Sequence, residues 1–317
     1  MAISISDLST FCRNTVVPKL VDNVHRVGPT IFKLLDSPAK FTGDKLGVPI
    51  TYGKNTNAQF YAANATLNVA TIEQDTKAQY DPVRANVALT LEGLDMALNQ
   101  GDGKVLDMVK ERVKIAETSL KDLFSSSLFA TTQSNAFLGL HSIAGAGGTL
   151  GGIAQSDVAT WQGSSGLNGC GGGPDATTTA LTQTALDLHY ESSMVGNEQP
   201  DFGVTTYAIY SGIVGKYMEP YMRYANADTK MGNMGFQGIK YRNADLWADA
   251  QCATGSIWFW NSNHLYYAVV PGYNFKFIDF VYQPNKDQQT AMIRWYGQLI
   301  CESRRQIAWM STISSVT

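Results

Sequence analysis

The residues of this chain that come nearest to a reaction are His189-Tyr-Glu191, the H-x-E half of a zinc deaminase, in which a histidine holds the metal and a glutamate moves the proton. The second half of that signature, P-C-x-x-C, does not follow, so the spacing reads as a coincidence on a helix surface. His25, His141 and His264 stand alone and no H-E-x-x-H occurs. Cys12, Cys170, Cys252 and Cys301 are far apart with no C-x-x-C pair, which fits buried thiols in a reducing cytoplasm better than disulfides or a zinc site. Gly103-Lys104 and Gly215-Lys216 lack both the leading glycine and the following hydroxyl of a phosphate-binding loop. The glycines near 145 and 171 do not form the strand-to-helix G-x-G-x-x-G of a dinucleotide site, and there is no G-x-S-x-G elbow. The expectation is a chain that is not an enzyme, with no catalytic, cofactor-binding or metal-binding residue and no cofactor.

Two other groups could do chemistry of a different kind. Trp258 and Trp260 alternate on one strand and could stack a sugar or a base, although Ile257, Phe259 and Tyr266 leave no polar side for hydrogen bonds, which favours a buried sheet face. Lys45, Lys54 and Lys77 lie among many asparagines, but a Lys to Asn isopeptide bond needs a desolvated amine beside a carboxylate, and nothing in the spacing fixes that. Asn64-Ala-Thr66 matches a glycosylation sequon, a three-residue pattern common by chance.

The elements that would position these residues are more informative than the residues. Val83 to Leu91 carries apolar side chains at every second position, the mark of a half-buried strand. Val48–Tyr52 and Leu67–Ile72 have strand composition and flank the polar stretch Gly53–Gln59, which reads as flexible or externally supported. Together they predict a two-armed β excursion. At about 3.3 Å per residue, fifteen residues per arm reach about 50 Å, more than the roughly 40 Å breadth of a 150-residue domain. An isolated ribbon is marginal in water, so its Val, Leu, Phe60 and Tyr61 side chains should find their partner surface on another molecule.

From Asp102 to Phe129 the spacing predicts one uninterrupted helix, with Val105, Met108, Val109, Val113, Ala116, Leu120, Leu123 and Phe124 on one face and a Glu117–Lys121 pair on the other. At 1.5 Å per residue it is a spine of roughly 40 Å. Residues 1–40, punctuated by Pro18, Pro29 and Pro38, read as an extended arm with brief helical turns. After a Gly-rich connector come helices over about Thr178–Met194, with Leu181, Ala185 and Leu188 on one side, and about Tyr207–Met222, with the strand Phe202–Thr206 between them. Asn226–Gly238 reads as a long surface loop. Ser256–Trp260 and Leu265–Val270 are expected to pair as a hairpin through Asn261–His264. Strands at Phe275–Tyr282, Gln289–Cys301 and Arg305–Ile313 close the chain. Helices and strands segregate, so the fold class is α+β.

Bulk composition agrees with an assembly subunit. The chain has 317 residues, 44% hydrophobic, and only 16% are charged, against about 25% in a typical soluble domain. Depleted surface charge is what the centre of a protein interface requires. Net charge is −3 and pI about 5.8, with no basic block, so tight phosphate-backbone binding is not indicated. No signal-peptide pattern opens the sequence and no apolar run is long enough to span a membrane, so no membrane partner is expected.

Phe137-Leu-Gly-Leu140 and Leu150-Gly-Gly-Ile153, with Trp161 after the long helix, resemble the connector of the major capsid proteins of tailed double-stranded DNA bacteriophages. Phe236-Gln-Gly-Ile-Lys-Tyr241 followed by Gly255-Ser-Ile-Trp-Phe-Trp-Asn-Ser-Asn-His-Leu265 resembles that family's central sheet and hairpin. Ala154 departs from the polar or acidic residue that relatives often carry. The resemblance covers essentially the whole chain. It implies an N-terminal arm over 1–40, an extended β loop over 41–100, a peripheral domain with the spine helix over 101–195, an axial domain over 196–272, and C-terminal strands over 273–317 returning to the peripheral domain. It further implies hexamers and pentamers tiling an icosahedral shell, with arm and loop reaching neighbouring subunits and small residues of 226–238 near the capsomer axis. A separate scaffolding protein is expected because no large helical region precedes residue 40, together with a portal and a decoration protein. Packaged double-stranded DNA would be contacted weakly and non-specifically, in a virion assembled in the host cytoplasm. The same fold builds bacterial nanocompartments. The rival from another class is a carbohydrate-binding or hydrolytic β-rich protein using Trp258 and Trp260.

Overall fold

The computed structural model describes residues 28–36, 38–41, 43, 45–98, 102–131, 134–145, 148–158, 161, 180–218 and 238–316. The expected loop over 226–237, most of the N-terminal arm, the glycine stretches at 146–147 and 171–173, and His25, Cys12 and Cys170 lie outside them. In chain order the elements are α1 (Pro29–Asp36), β1 (Ala39–Lys40), β2 (Leu46–Thr51), β3 (Asp75–Tyr80), β4 (Val83–Glu92), α2 (Gly93–Leu98), α3 (Asp102–Phe129) and α4 (Leu140–Ala144). There follow β5 (Thr149–Leu150), β6 (Ile153–Ala154), β7 (Ala180–Leu181), α5 (Gln183–Ser192), β8 (Phe202–Thr205), α6 (Tyr207–Ile213), β9 (Gly238–Tyr241) and β10 (Ala244–Ala248). The chain closes with β11 (Ile257–Trp260), β12 (Leu265–Val269), β13 (Lys276–Tyr282), β14 (Gln288–Cys301), β15 (Ile307–Met310) and β16 (Ser315–Val316). The α+β class is as expected.

Two five-stranded sheets organise the molecule. In the long sheet, the 14-residue β14 pairs antiparallel with β4 along one edge and with β13 and then β12 along the other, and β1 adds in parallel to β12. The second sheet has the order β15-β11-β8-β10-β9. Ser256–Trp260 and Leu265–Val270 are therefore not a hairpin. β11 pairs with β8 and β15, whereas β12 pairs with β14, so the turn at Asn261–His264 carries the chain from one sheet to the other. The chain crosses back just after Cys301, and β15 joins β11. The crossings are tied together: Glu302 N–H donates to the His264 carbonyl at 2.9 Å, and Asn261 Nδ2 donates to Gln306 Oε1 at 2.9 Å.

The 28-residue α3 begins and ends at the residues its periodicity indicates. It lies on the face of the long sheet formed by Leu89, Ala291, Ile293 and Trp295, burying Ala116, Leu120, Phe124 and Leu128. Phe124 meets Trp295 edge-on at 4.7 Å between centroids and Phe137 at 5.4 Å, and Tyr267 closes the cluster 5.7 Å from Trp295. Leu123, expected on the same face, is half exposed at the helix margin. Lys121 places its ammonium over the Phe32 ring of α1 at 5.8 Å, in place of the expected pairing with Glu117. In α5 the buried face is Leu186, His189 and Tyr190, while Leu188 points to solvent.

Three local devices fix the connections. Arg304 donates from Nε to the Ile143 carbonyl at 2.8 Å, from Nη2 to Gly145 at 2.8 Å and from Nη1 to Trp161 at 3.3 Å, closing the C-terminus of α4 and pinning the connector. Gly151 and Gly152 turn the β5–β6 hairpin at positive φ, and a side chain on Gly151 would strike Ala78 of β3 at 2.8 Å. Asp249 sits at the start of α1, accepting from Thr30 Oγ1 at 2.7 Å and from Gln251 N–H at 2.9 Å. A Cβ on Gly28 would collide with its carboxylate.

Truncating Phe124 to Ala removes the centre of the aromatic cluster, and a loss of about 3–5 kcal/mol in urea denaturation is expected. Burial raises the Asp249 pKa above its ordinary value, with the Thr30 and Gln251 hydrogen bonds opposing. Its contribution is therefore fully present below the unfolded-state pKa of about 4 and lost as pH rises through the folded value. Relative to Asp249→Asn, the wild type should lose stability as pH rises from 4, a difference that denaturation curves at stepped pH would display as a slope absent from the variant.

Candidate assembly surface

The residues singled out for catalysis do not come together. His189 is fully buried in α5 against Phe259, at 5.8 Å between rings, and is not on a helix surface. Burial holds its pKa down to about 4, with a hydrogen bond to the Ile257 backbone opposing. Glu191 is exposed and pairs with Arg242 at 3.0 Å. His141 packs edge-on against Trp258 and Trp309, at 4.9 and 4.4 Å. Trp258 and Trp260 are completely buried, so neither can stack a ligand and the sugar-platform reading fails. Cys252 and Cys301 are buried thiols, and burial pushes the Cys301 pKa up to about 12. Among the described residues no cluster of three His, Cys, Asp or Glu could hold a metal, and no helix is long and apolar enough to cross a membrane.

The feature with a function to explain is the excursion, and its construction differs from the expected ribbon. The second arm, Val83–Glu92, is a strand of the long sheet, paired with β14 over its whole length. Leu67–Ile72 is irregular. The partner of β2 is instead β3, from Thr51 opposite Asp75 to Leu46 opposite Tyr80. β3 reads Asp-Thr-Lys-Ala-Gln-Tyr and has no apolar alternation along most of its length, so periodicity could not find it.

The β2–β3 hairpin is bolted to the body at its base. Tyr80 Oη donates to the Cys301 carbonyl at 2.7 Å, Gln79 N–H donates to Gly151 at 2.8 Å, and Lys45 meets Asp81 at 3.4 Å. Beyond Thr51 the chain forms a tip whose turns are closed by its own asparagines. Asn57 Nδ2 donates to the Ala70 carbonyl at 2.6 Å, Asn55 Oδ1 accepts from Asn57 N–H at 2.9 Å, and Asn68 Oδ1 accepts from Ala70 N–H at 3.3 Å. Gly53–Gln59 is thus internally supported. Lys54 is exposed in this tip, whereas Lys77 is exposed on β3 with its side chain lying over Gly47.

The tip exposes what a solitary protein buries. Phe60 is fully exposed, Val69 is 85% exposed and Tyr61 69%, and Leu67 is half exposed. Several large apolar side chains exposed on one short segment mark an interaction site. The long sheet adds a second exposed apolar region on β13, at Phe277, Val281 and Tyr282. A cleft of about 450 Å³ opens between the outer edge of β4, Leu123 and Ser127 of α3, and residues 134–137.

No family model matches the chain, and no curated protein matches it in sequence. Solved structures do match in fold. The chain is similar to a capsid protein of cyanophage A-1(L) at 14% identity and TM-score 0.67, over 94% of this chain and 96% of the other. It is similar to the capsid of a native GTA particle at 7% identity and TM-score 0.60, over 95% and 96% of the two chains. It also resembles the encapsulin of Synechococcus elongatus at 11% identity and TM-score 0.57, over 99% and 96%. The fold is that of tailed-phage major capsid proteins.

Replacing Phe60 and Tyr61 together by Ser should leave the melting behaviour of the isolated chain within about 0.5 kcal/mol, since neither side chain packs on its own body. The same variant should lose higher-order species in sedimentation velocity.

Proposed function

We propose that this chain is a non-enzymatic shell subunit that assembles through hexamers and pentamers into the icosahedral capsid enclosing the double-stranded DNA of a tailed phage. The observation that carries the reading is the β2–β3 hairpin: a firmly based arm with a locally satisfied backbone and an apolar tip, built into a fold shared with phage capsids over nearly the whole chain. On this reading the arm, the tip and the domain edges each supply a modest contact, and closed symmetry multiplies them. On this reading 101–195 with the spine helix is the peripheral domain, to which the strands of 273–317 return, and 196–272 is the axial domain, although β12 pairs into the long sheet and β15 into the second sheet.

The remaining partners follow from the same reading: a separate scaffolding protein, a portal, a decoration protein, and packaged DNA touched weakly by a wall of low charge. The place of action is the virion, with assembly in the host cytoplasm. A second reading is supported by the likeness to an encapsulin: a protein nanocompartment, whose subunits usually carry a site for cargo peptides.

Size-exclusion chromatography and negative-stain electron microscopy of the purified chain test the proposal. Capsomers or closed shells are the expected outcome, and deletion of 55–78 should abolish them. A monomer at all concentrations would end the proposal. Shells that form only at a single small size and enclose a protein cargo would favour the nanocompartment.

A further inference from the structure

At the joint between the two sheets one histidine stands between two carboxylates. His264 ends the first crossing, immediately before β12, with Nε2 2.8 Å from Glu198 Oε2 and Nδ1 3.5 Å from Glu302 Oε2. Glu302 begins the return crossing just after β14, and Glu198 lies in the turn that precedes β8. The imidazole therefore joins a carboxylate on the long-sheet side to one on the second-sheet side. Its Nδ1 is buried and has no hydrogen-bond partner.

The protonation state that suits this geometry is the charged one. A neutral ring has one N–H and one lone pair. Either tautomer would aim its lone pair at a carboxylate, from Nδ1 at Glu302 or from Nε2 at Glu198, whereas an imidazolium presents an N–H to each. The surrounding groups leave this task to His264. Among the described residues neither glutamate has another cationic partner. Gln306 Nε2 also donates to Glu198 Oε2, and Tyr266 Oη donates to Glu302 Oε1 at 2.5 Å. Asp201 faces Ser262 instead, accepting from its N–H at 2.7 Å and its Oγ at 3.0 Å, and the Arg304 guanidinium is turned to the connector carbonyls. The hydrogen bonds from Gln306 and His264 hold the Glu198 carboxyl below its ordinary pKa, so it stays charged where an imidazole titrates.

We propose that His264 is a proton-operated clasp on the joint between the sheets, closed on Glu198 and Glu302 when the ring is charged and opened when it is neutral. Its switching falls in the window where histidine ordinarily changes charge, between about pH 5 and 8. The sign follows from the geometry. The clasp stabilises the joint where the imidazole is protonated, and that stabilisation is lost as pH rises through its titration. The apolar core shared by both sheets does not depend on it, so what changes is how often the crossings open and not the fold. The inference goes beyond the shell-subunit reading and holds for the chain whatever it assembles into.

Hydrogen exchange of the full chain tests it, read by mass spectrometry on peptides covering 261–266 and 300–306 and compared at each pH with His264→Gln, which cannot charge. Taking the ratio to the variant cancels the intrinsic pH dependence of exchange. At about pH 5.5 the wild-type crossings should exchange about three- to tenfold more slowly than the variant's, the range for a charged hydrogen bond partly open to solvent, and at about pH 8.5 the ratio should fall to about one. A ratio that does not change with pH would overturn the clasp. If His264→Gln misfolds by circular dichroism, Glu302→Gln takes its place; the ratio to that variant should again fall as pH rises, by a smaller factor, and a constant ratio overturns the proposal equally. Because exchange is read within each chain, a failure to form shells would end the shell reading without touching this result.

Discussion

The contact of Phe124 with Trp295 is the constraint to which the other parts are referred. It sets the rotation of a 28-residue helix against a 14-residue strand, and both elements are too long and too completely buried on that side to slip. Phe137 and Tyr267 complete the cluster, so the segment after the helix and the strand after the first crossing are located by the same four rings. From there Arg304 and Tyr80 carry the positioning outward, one to the connector and the other to the base of the hairpin. A projecting arm can be aimed only if its base does not move, and the aromatic cluster is what its base is referred to.

The parts of this architecture legible in the sequence were those set by long regular periodicity. The spine helix was readable at both ends because apolar residues recur at helical spacing from 105 to 124 without Gly or Pro. Strand β14 was readable for its length and β-branched composition. The pairing of Ile257–Trp260 was not. All four of its residues are buried, so no alternation announces which sheet each face meets, and a short turn of Asn and Ser is compatible with a hairpin or a crossing. The partner of β2 was hidden for the opposite reason, since β3 is polar along most of its length and is held by its register with β2. His189 shows the limit for single residues: nothing local distinguishes a buried imidazole from one on a helix surface.

Of the exposed surface, the sequence showed the apolar tip but not the clustering of cations on the long sheet. Phe60 and Tyr61 stand out in a polar stretch, whereas Lys276, Arg294 and Arg84 are separated by up to 210 positions in the chain and meet only through strand register. The absence of charge runs along the chain also concealed a local concentration of cations. Charge that is sparse along the chain can still be dense on a sheet.

The asparagine bonds within the hairpin tip carry a consequence for the fidelity of assembly. Because Asn55, Asn57 and Asn68 close the turns of the tip within one subunit, a tip that lifts off a neighbour keeps these bonds. Detachment then has a low barrier, and a subunit seated wrongly can leave and try again before closure traps it. On the shell reading, error correction during growth rests on three side-chain amides whose bonds lie within the tip itself.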